Sequence, residues 1–398
     1  MKETTTRTQE GQEQRLLYST LFTIFAGGAA AQPLGSFIPF FREEYGLGYD
    51  LSGVLLSCQS IGNLIAVLAA GFLPSLLGRR RSVLCTAVWM AVAYGVFLSG
   101  IGTGWVLAAA CVMTGIARGG NSTFGNTMMS TLPGDVATRG YNLLHGGYAV
   151  GALISPLLLV FITARWPKLG WRAVAALLLA LCLAQVAVYA TMPIPEKENV
   201  SGQGKLDIRF LKNGRFWLGA AMLLFYVSTE YAIMGWLVTY FQDIAILSDS
   251  QSQMMSSLVW LLMFLGRMAG AAMVGKVSRS LILVVDGVGL LVFFLIMYSA
   301  QTASTVVLGL VGVGLFMATI YPSAFAVGSE CIKGNDLGCS VMSFIGSAGG
   351  VLTPVLVGFV AERAGIRAGI GLIVVFIGLL LGSILLSVFC VRPRRTTS

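Results

Sequence analysis

Twelve apolar runs, each long enough to cross a bilayer, restrict this chain more than any other feature of its sequence. Their approximate limits are 16–41, 51–77, 82–100, 104–130, 141–163, 171–192, 216–241, 252–275, 280–299, 303–328, 338–361 and 368–391. A helix rises 1.5 Å per residue, so about 20 residues cover the roughly 30 Å of hydrocarbon. Inside that layer every backbone N–H and C=O must be satisfied within the chain, and a helix does this by itself. The expected fold is therefore an all-α membrane protein with twelve transmembrane helices. Composition agrees: 56% of the 398 residues are hydrophobic and 11% are charged, against about 25% charged in soluble domains. The stretch Met1–Arg15 is polar and runs directly into the first span, so no cleavable leader is expected. Seven Cys are scattered singly, with no CxxC or Cys/His cluster, which argues against a metal centre, a bound cofactor or a disulfide framework.

The long polar interruption from Pro193 to Arg215 divides the chain into two six-span halves, 1–192 and 216–398, joined by the linker 193–215. Orientation follows from Lys and Arg, which accumulate in cytoplasmic loops. One set of loops and tails holds 18 of the 26: Lys2, Arg7, Arg15, Arg79, Arg80, Arg81, Arg139, Lys197, Lys205, Arg209, Lys212, Arg215, Lys276, Arg279, Lys333, Arg392, Arg394 and Arg395. The alternate set holds Arg42, Arg165, Lys168, Arg172, Arg363 and Arg367, leaving Arg118 and Arg267 inside spans. Both termini and the linker are thus expected in the cytoplasm, with the chain multi-pass in the cell membrane. The net charge of +9 is a topology signal and lends nucleic-acid binding no support.

The halves repeat each other at an offset of about 199 residues, as parallel repeats do in secondary transporters. Gly147-x-x-x-Gly151 followed by Pro156 in span 5 corresponds to Gly346-x-x-x-Gly350 followed by Pro354 in span 11. Gly115, ahead of a polar run in span 4, corresponds to Gly314, ahead of Tyr321-Pro322-Ser323 in span 10. Between spans 2 and 3 stands Gly71-Phe-Leu-Pro-Ser75-Leu-Leu-Gly78-Arg79-Arg80-Arg81, and Gly270 with Gly275-Lys276 occupies the matching place after span 8. Two pseudo-symmetric six-helix bundles are the expected architecture.

The 71–81 segment resembles the cytoplasmic signature of the major facilitator superfamily, with Ser75 where the family has an acid. That departure puts the family's helix-capping interlock in doubt and leaves Arg79–Arg81 available to lipid phosphates. Gly71, Gly78, Arg79 and Arg80 are the conformational residues this resemblance implies. His145-Gly-Gly-Tyr148-Ala-Val-Gly151-Ala-Leu-Ile-Ser-Pro156 and Glu230-x-x-x-x-Gly235-Trp236-x-x-x-Tyr240 are similar to patterns of the fucose–galactose–glucose proton symporters and their sodium-dependent glucose branch. Gly266-Arg267 and Tyr321-Pro322 also fit. The acid of the family's fourth span is missing here, where the register reads Ser122-Thr123-Phe-Gly125-Asn126.

That absence directs attention to Glu230, about fourteen residues into its run and so roughly 21 Å from the entry side. An acid at mid-bilayer is costly unless paired, protonated or facing water, and is a functional candidate by default. It reads as the ion-coupling carboxylate, with a structural tie to another helix as the alternative. Arg118 lies at similar depth in span 4 and requires a counter-charge, either Glu230 or an anionic substrate. His145, the only His, is a packed residue or a proton-release site.

In span 4, Asn121, Ser122 and Asn126 are spaced to gather toward one side, where amides and hydroxyls suit the mixed donors and acceptors of a sugar. Gln32, Gln59 and Asn63 could extend such a lining, and Tyr226 and Trp236 could offer flat faces to a pyranose; helix-to-helix hydrogen bonding and an interfacial belt are the plain alternatives. Arg267 reads as a structural residue holding loop carbonyls or helix ends, and Asp286 as an interfacial cap.

The expectation is a monomeric carrier of a small polar solute, a sugar first, by ion-coupled symport with protons ahead of sodium. An organic-anion or drug carrier using Arg118 is the rival, and a non-transporting receptor a more distant one. No nucleophile–base pair or phosphate loop suggests an enzyme.

Overall fold

A computed structural model gives the fold of the 398-residue chain. It describes residues 2–70, 73–130, 134–167, 169–194, 208–273, 276–329, 332 and 336–390. Gly71 lies outside these residues, as do the side chains of Ser75 and His145.

Among the described residues every expected span is helical, and several are broken. Span 1 comprises α1 (Lys2–Ala31) and α2 (Leu34–Tyr45), followed by α3 (Tyr49–Ala70), a short connecting α4 (Leu73–Leu77), α5 (Arg79–Leu98), α6 (Gly104–Ser130), α7 (Gly134–Arg165) and α8 (Gly170–Thr191). After a 3₁₀ turn at Arg209–Lys212 come α9 (Gly214–Asp243), α10 (Asp249–Met273), α11 (Arg279–Tyr298), α12 (Ala303–Met317) with α13 (Ile320–Ser329), α14 (Asp336–Ala364), and α15 (Ile366–Gly371) with α16 (Ile373–Cys390). Among the described residues ten stretches are long and apolar enough to cross a membrane. The two span-length helices outside that set are α6 and α10, which carry Arg118 and Arg267 and the most polar interiors.

The chain divides into two compact units, Met1–Leu47 with Cys58–Ser201, and Gly48–Ser57 with Gly202–Ser398. The first turns of α3 therefore belong to the second unit, so the division departs from a cut within the linker alone.

In the first unit α1 packs most extensively on α7. The contact is close because Gly151 faces α1: a Cβ there would stand 2.2 Å from the Phe25 carbonyl oxygen. In the second unit α9 packs on α14 in the same way, and a Cβ on Gly349 would meet the Leu224 carbonyl oxygen at 2.3 Å. Small residues let helix backbones approach where lipid supplies no hydrophobic drive. The repeated glycine pattern thus does the same work in each unit, with Gly349 rather than Gly350 nearest the partner backbone. A core of Leu16, Ile24, Val83, Phe124, Met128, Leu144 and Tyr189 lies at one end of the first unit.

Prolines place two of the breaks. Pro33 has no N–H to continue span 1, and the chain turns at Gln32–Pro33 before α2 begins. The carbonyls left open are taken by side chains from other helices: Tyr94 of α5 donates to Ala30 O at 2.6 Å, and Gln59 of α3 donates to Ala31 O at 2.8 Å. Pro322 removes the partner of the Ala318 carbonyl in the same manner, and span 10 turns at Ala318–Thr319.

The segment resembling a cytoplasmic signature is built differently from expectation. Gly78 starts α5 with φ of +79°, a conformation that disfavours a side chain. Arg80 donates to the Ala190 carbonyl and, at 3.0 Å, to that of Met192, while Arg15 donates to Thr191 O at 3.0 Å. These guanidinium groups cover the carbonyl end of α8, where positive charge is favoured. Arg80 is thus a helix cap that stays exposed, and Arg79 is half-buried beside it.

Candidate functional site

The mid-span polar residues of the two units form distinct groups. In the second unit, Glu230 and Tyr226 lie one helical turn apart on α9, Arg267 on α10, and Tyr321 just past the break in span 10. Glu230, Arg267 and Tyr321 all act electrostatically on the Tyr226 hydroxyl. Glu230 and Arg267 act on that of Tyr321 as well. The two phenol rings meet edge-on with centroids 5.9 Å apart. Tyr226 is fully buried, and its hydroxyl makes no hydrogen bond of ordinary geometry although the Arg267 guanidinium is within reach. Tyr321 is 37% exposed and Glu230 is half-buried, so the group opens on one side. An acid, a guanidinium and two phenols in one place can bind a proton or cation and can donate to and accept from a polar solute.

Arg267 therefore stands in the neighbourhood of Glu230, a placement its reading as a structural residue did not include. Its signal in the sequence was depth: a guanidinium inside a span needs an acid, and the second half has few.

Trp236 does not join this group. It is fully buried, donates from its indole N–H to Pro354 O at 3.2 Å, and has the Tyr49 ring 6.2 Å away. Tyr49 is anchored in turn, its N–H donating to Glu362 Oε2 at 2.7 Å and its hydroxyl to Asp243 Oδ2 at 2.8 Å. Trp236 is packed between helices with no open face, which removes the pyranose platform expected there.

In the first unit the polar run of α6 divides between two faces. Asn121 is buried: its amide donates to Thr23 O at 3.1 Å, and its oxygen accepts from Gln185 at 3.1 Å and from the Tyr189 hydroxyl. Gln185 also donates to Thr23 O at 3.0 Å. Asn121 thus ties α6 to α1 and α8, which is the plain alternative to lining a cavity. Ser122 is exposed, and Arg118 and Asn126, four residues before and after it, are half-buried on the same helical stripe. Those three residues, without Asn121, make up the open polar face of α6. Adjacent residues differ by about 100° around a helix, and this separates Asn121 from Ser122.

Gln59 is buried and engaged by the break in span 1, donating also to Thr114 Oγ1 at 3.2 Å. Its role is to hold backbone, and not to line a pocket. Asn63 lies where α3 crosses α6, its Oδ1 3.1 Å from where a Cβ on Gly119 would stand. Gln32, at the break itself and half-buried, donates to the Tyr148 hydroxyl at 2.7 Å. Arg118 belongs to the first unit and Glu230 to the second. Among the described residues no group of three or more His, Cys, Asp or Glu could hold a metal ion.

Comparison with known proteins adds the context. Residues 20–339 match the Major Facilitator Superfamily. A glucose/galactose transporter of Brucella abortus is 23% identical over 83% of this chain and 84% of its own length. The membrane protein MosC of Rhizobium meliloti is 23% identical over 94% of this chain and 89% of its own. Among solved structures, a D-xylose-proton symporter superposes with a TM-score of 0.73 over 96% of this chain and 97% of its own, and the nucleoside transporter NupG with 0.74 over 96% and 100%. Both are 14% identical to this chain, so the likeness is one of fold.

Proposed function

This chain belongs to the Major Facilitator Superfamily, and from that premise we propose that it carries a small polar solute, a sugar first, by proton-linked symport, with Glu230 as the coupling carboxylate. The observation that carries this reading is the group Glu230–Arg267–Tyr226–Tyr321 in the second unit. Its acid lies about halfway through α9. Arg267 favours the ionised acid, and burial favours the protonated one; a carrier that loads and releases a proton needs the two states close in free energy. The fully buried Tyr226 hydroxyl, with no ordinary hydrogen bond, supplies a donor that a solute hydroxyl could satisfy. The similarity to a glucose/galactose transporter supports a sugar ahead of other polar solutes. In this reading alternating access presents the group first to one side of the membrane and then to the other.

The test is Glu230→Gln in proteoliposomes, with glucose, galactose and xylose as the solutes. Gln imitates the protonated acid at nearly constant shape, so exchange of solute down its gradient should persist while pH-driven accumulation is lost. A sodium-dependent gain in wild-type uptake that Gln removes would assign the coupling to sodium. Unchanged accumulation with unchanged pH and sodium dependence would make Glu230 a structural tie.

A second reading, an organic-anion carrier, is favoured by the stripe Arg118–Ser122–Asn126 on the open face of α6. Competition of sugar uptake by anionic solutes, lost in Arg118→Gln, would select it.

A further inference from the structure

Asp286 is the one charged residue among the described residues that is buried, at 8% exposure. It sits two turns into α11, where the sequence suggested an interfacial cap, and it accepts a hydrogen bond from the Thr319 hydroxyl. Thr319 occupies the break between α12 and α13. On its other side is Gly270 of α10, where a Cβ would stand 2.3 Å from the Thr319 methyl group. Thr319 is thus held between a carboxyl group and a bare backbone. Two residues further on is Tyr321, which faces Tyr226 and feels Glu230 and Arg267.

Among the described residues no cation neutralises this carboxyl group. The helices packed on α11 are α12, α13 and α16. Of these, α12 has no ionisable residue, α13 has only Tyr321, and α16 has only Cys390 at its end. On α11 itself the other charge is Arg279, two turns away at its start. On α10 the cation is Arg267, which acts on Tyr226 and Tyr321, and the acid Asp249 stands at the opposite end of that helix. A buried acid without a cation is held by hydrogen bonds and by a proton.

We propose that Asp286 is a second proton-binding site of this protein, and that its occupancy sets the turn at Ala318–Thr319 and with it the position of Tyr321. With the carboxyl ionised, Thr319 donates to it and the break is held against α11. With the proton bound, the carboxyl oxygen is a weaker acceptor, and the Thr319 hydroxyl is freer to return to its own helix. The effect is mechanical: α13 begins at Ile320, so Tyr321 moves with its first turn. The proposal deepens the Glu230 reading by adding a site that regulates it, and the two can fail separately.

The experiment is fluorine NMR of the full-length protein in nanodiscs, with 3-fluorotyrosine at its 12 tyrosines and the Tyr321 resonance assigned by Tyr321→Phe. In Glu230→Gln, where position 230 cannot titrate, that resonance should move through a single step as pH is varied. The step should vanish when either Asp286→Asn or Thr319→Val is added. Thr319→Val keeps the carboxyl group and decides the matter if the Asp286→Asn protein fails to fold. A step that survives either addition overturns the proposal, as does a resonance that does not move in Glu230→Gln.

Discussion

Tyr226 is fully buried and its hydroxyl has no hydrogen bond of ordinary geometry. A buried polar atom in that condition costs about 1–3 kcal/mol relative to one that is satisfied. Removing the hydroxyl should relieve that cost, so Tyr226→Phe should unfold at the same temperature as wild type or higher. If the hydroxyl serves a solute, the same variant should take up sugar several-fold more slowly. Thermal unfolding and uptake measured on one preparation separate the two effects, and a clear loss of stability would mean the hydroxyl is bonded within the fold. Asn121 is the opposite case. All of its hydrogen-bonding atoms meet partners on α1 and α8, so its amide is helix-to-helix structure although the residue type alone suits a sugar equally well.

At the scale of elements, the broken spans are the features that most need support from elsewhere. Ala30 and Ala31 present carbonyls that the break at Gln32–Pro33 leaves without helical partners, and Tyr94 and Gln59 reach across from α5 and α3 to take them. Tyr94→Phe removes one donor with almost no change of shape and leaves the Ala30 carbonyl buried and open. It should therefore lower stability by about 1–3 kcal/mol, read as an earlier thermal transition in detergent, with sugar uptake by the remaining folded protein retained. An unchanged transition would mean that water or another donor replaces the phenol. The break in span 10 has a different support, since Thr319 there bonds to an ionisable group and not to a permanent amide or phenol.

At the scale of the whole molecule, the distribution of charge is the strongest guide to orientation. The loops of one set hold 18 of the 26 Lys and Arg residues, which favours a cytoplasmic location for both termini and the linker. Reporter fusions should confirm it: a fluorescent protein that matures only in the cytoplasm should shine when attached at Ser398 or within 195–207, and stay dark when inserted beside Gly102 or Gly365. Fluorescence in the reverse pattern would invert the topology. Membership of the superfamily and the two compact units agree with a carrier built from halves, and the early turns of α3 join the second unit across the sequence boundary.

The spans and the family were legible in the sequence because each rests on a local rule, and the prolines at the breaks, not read as breaks there, obey one too. A bilayer demands about 20 apolar residues in a row, proline cannot donate to a helix, and paired glycines four apart mark close crossings. Glu230 was legible for the same reason, since depth along one helix is a matter of counting. What only the tertiary structure decided is which side of each helix faces what. Asn121 and Ser122 are neighbours in sequence and lie on opposite terms with solvent, because a helix turns about 100° per residue and α1 and α8 happen to cover one of them. Trp236 is enclosed by the Pro354 region of α14, Gln59 is drawn to a broken backbone, and Arg267 and Tyr321 meet at Tyr226 from two other helices. Those encounters join residues up to 118 positions apart. Hydropathy along a chain has no term for the partner across a crossing, so the site emerges only when the helices are packed.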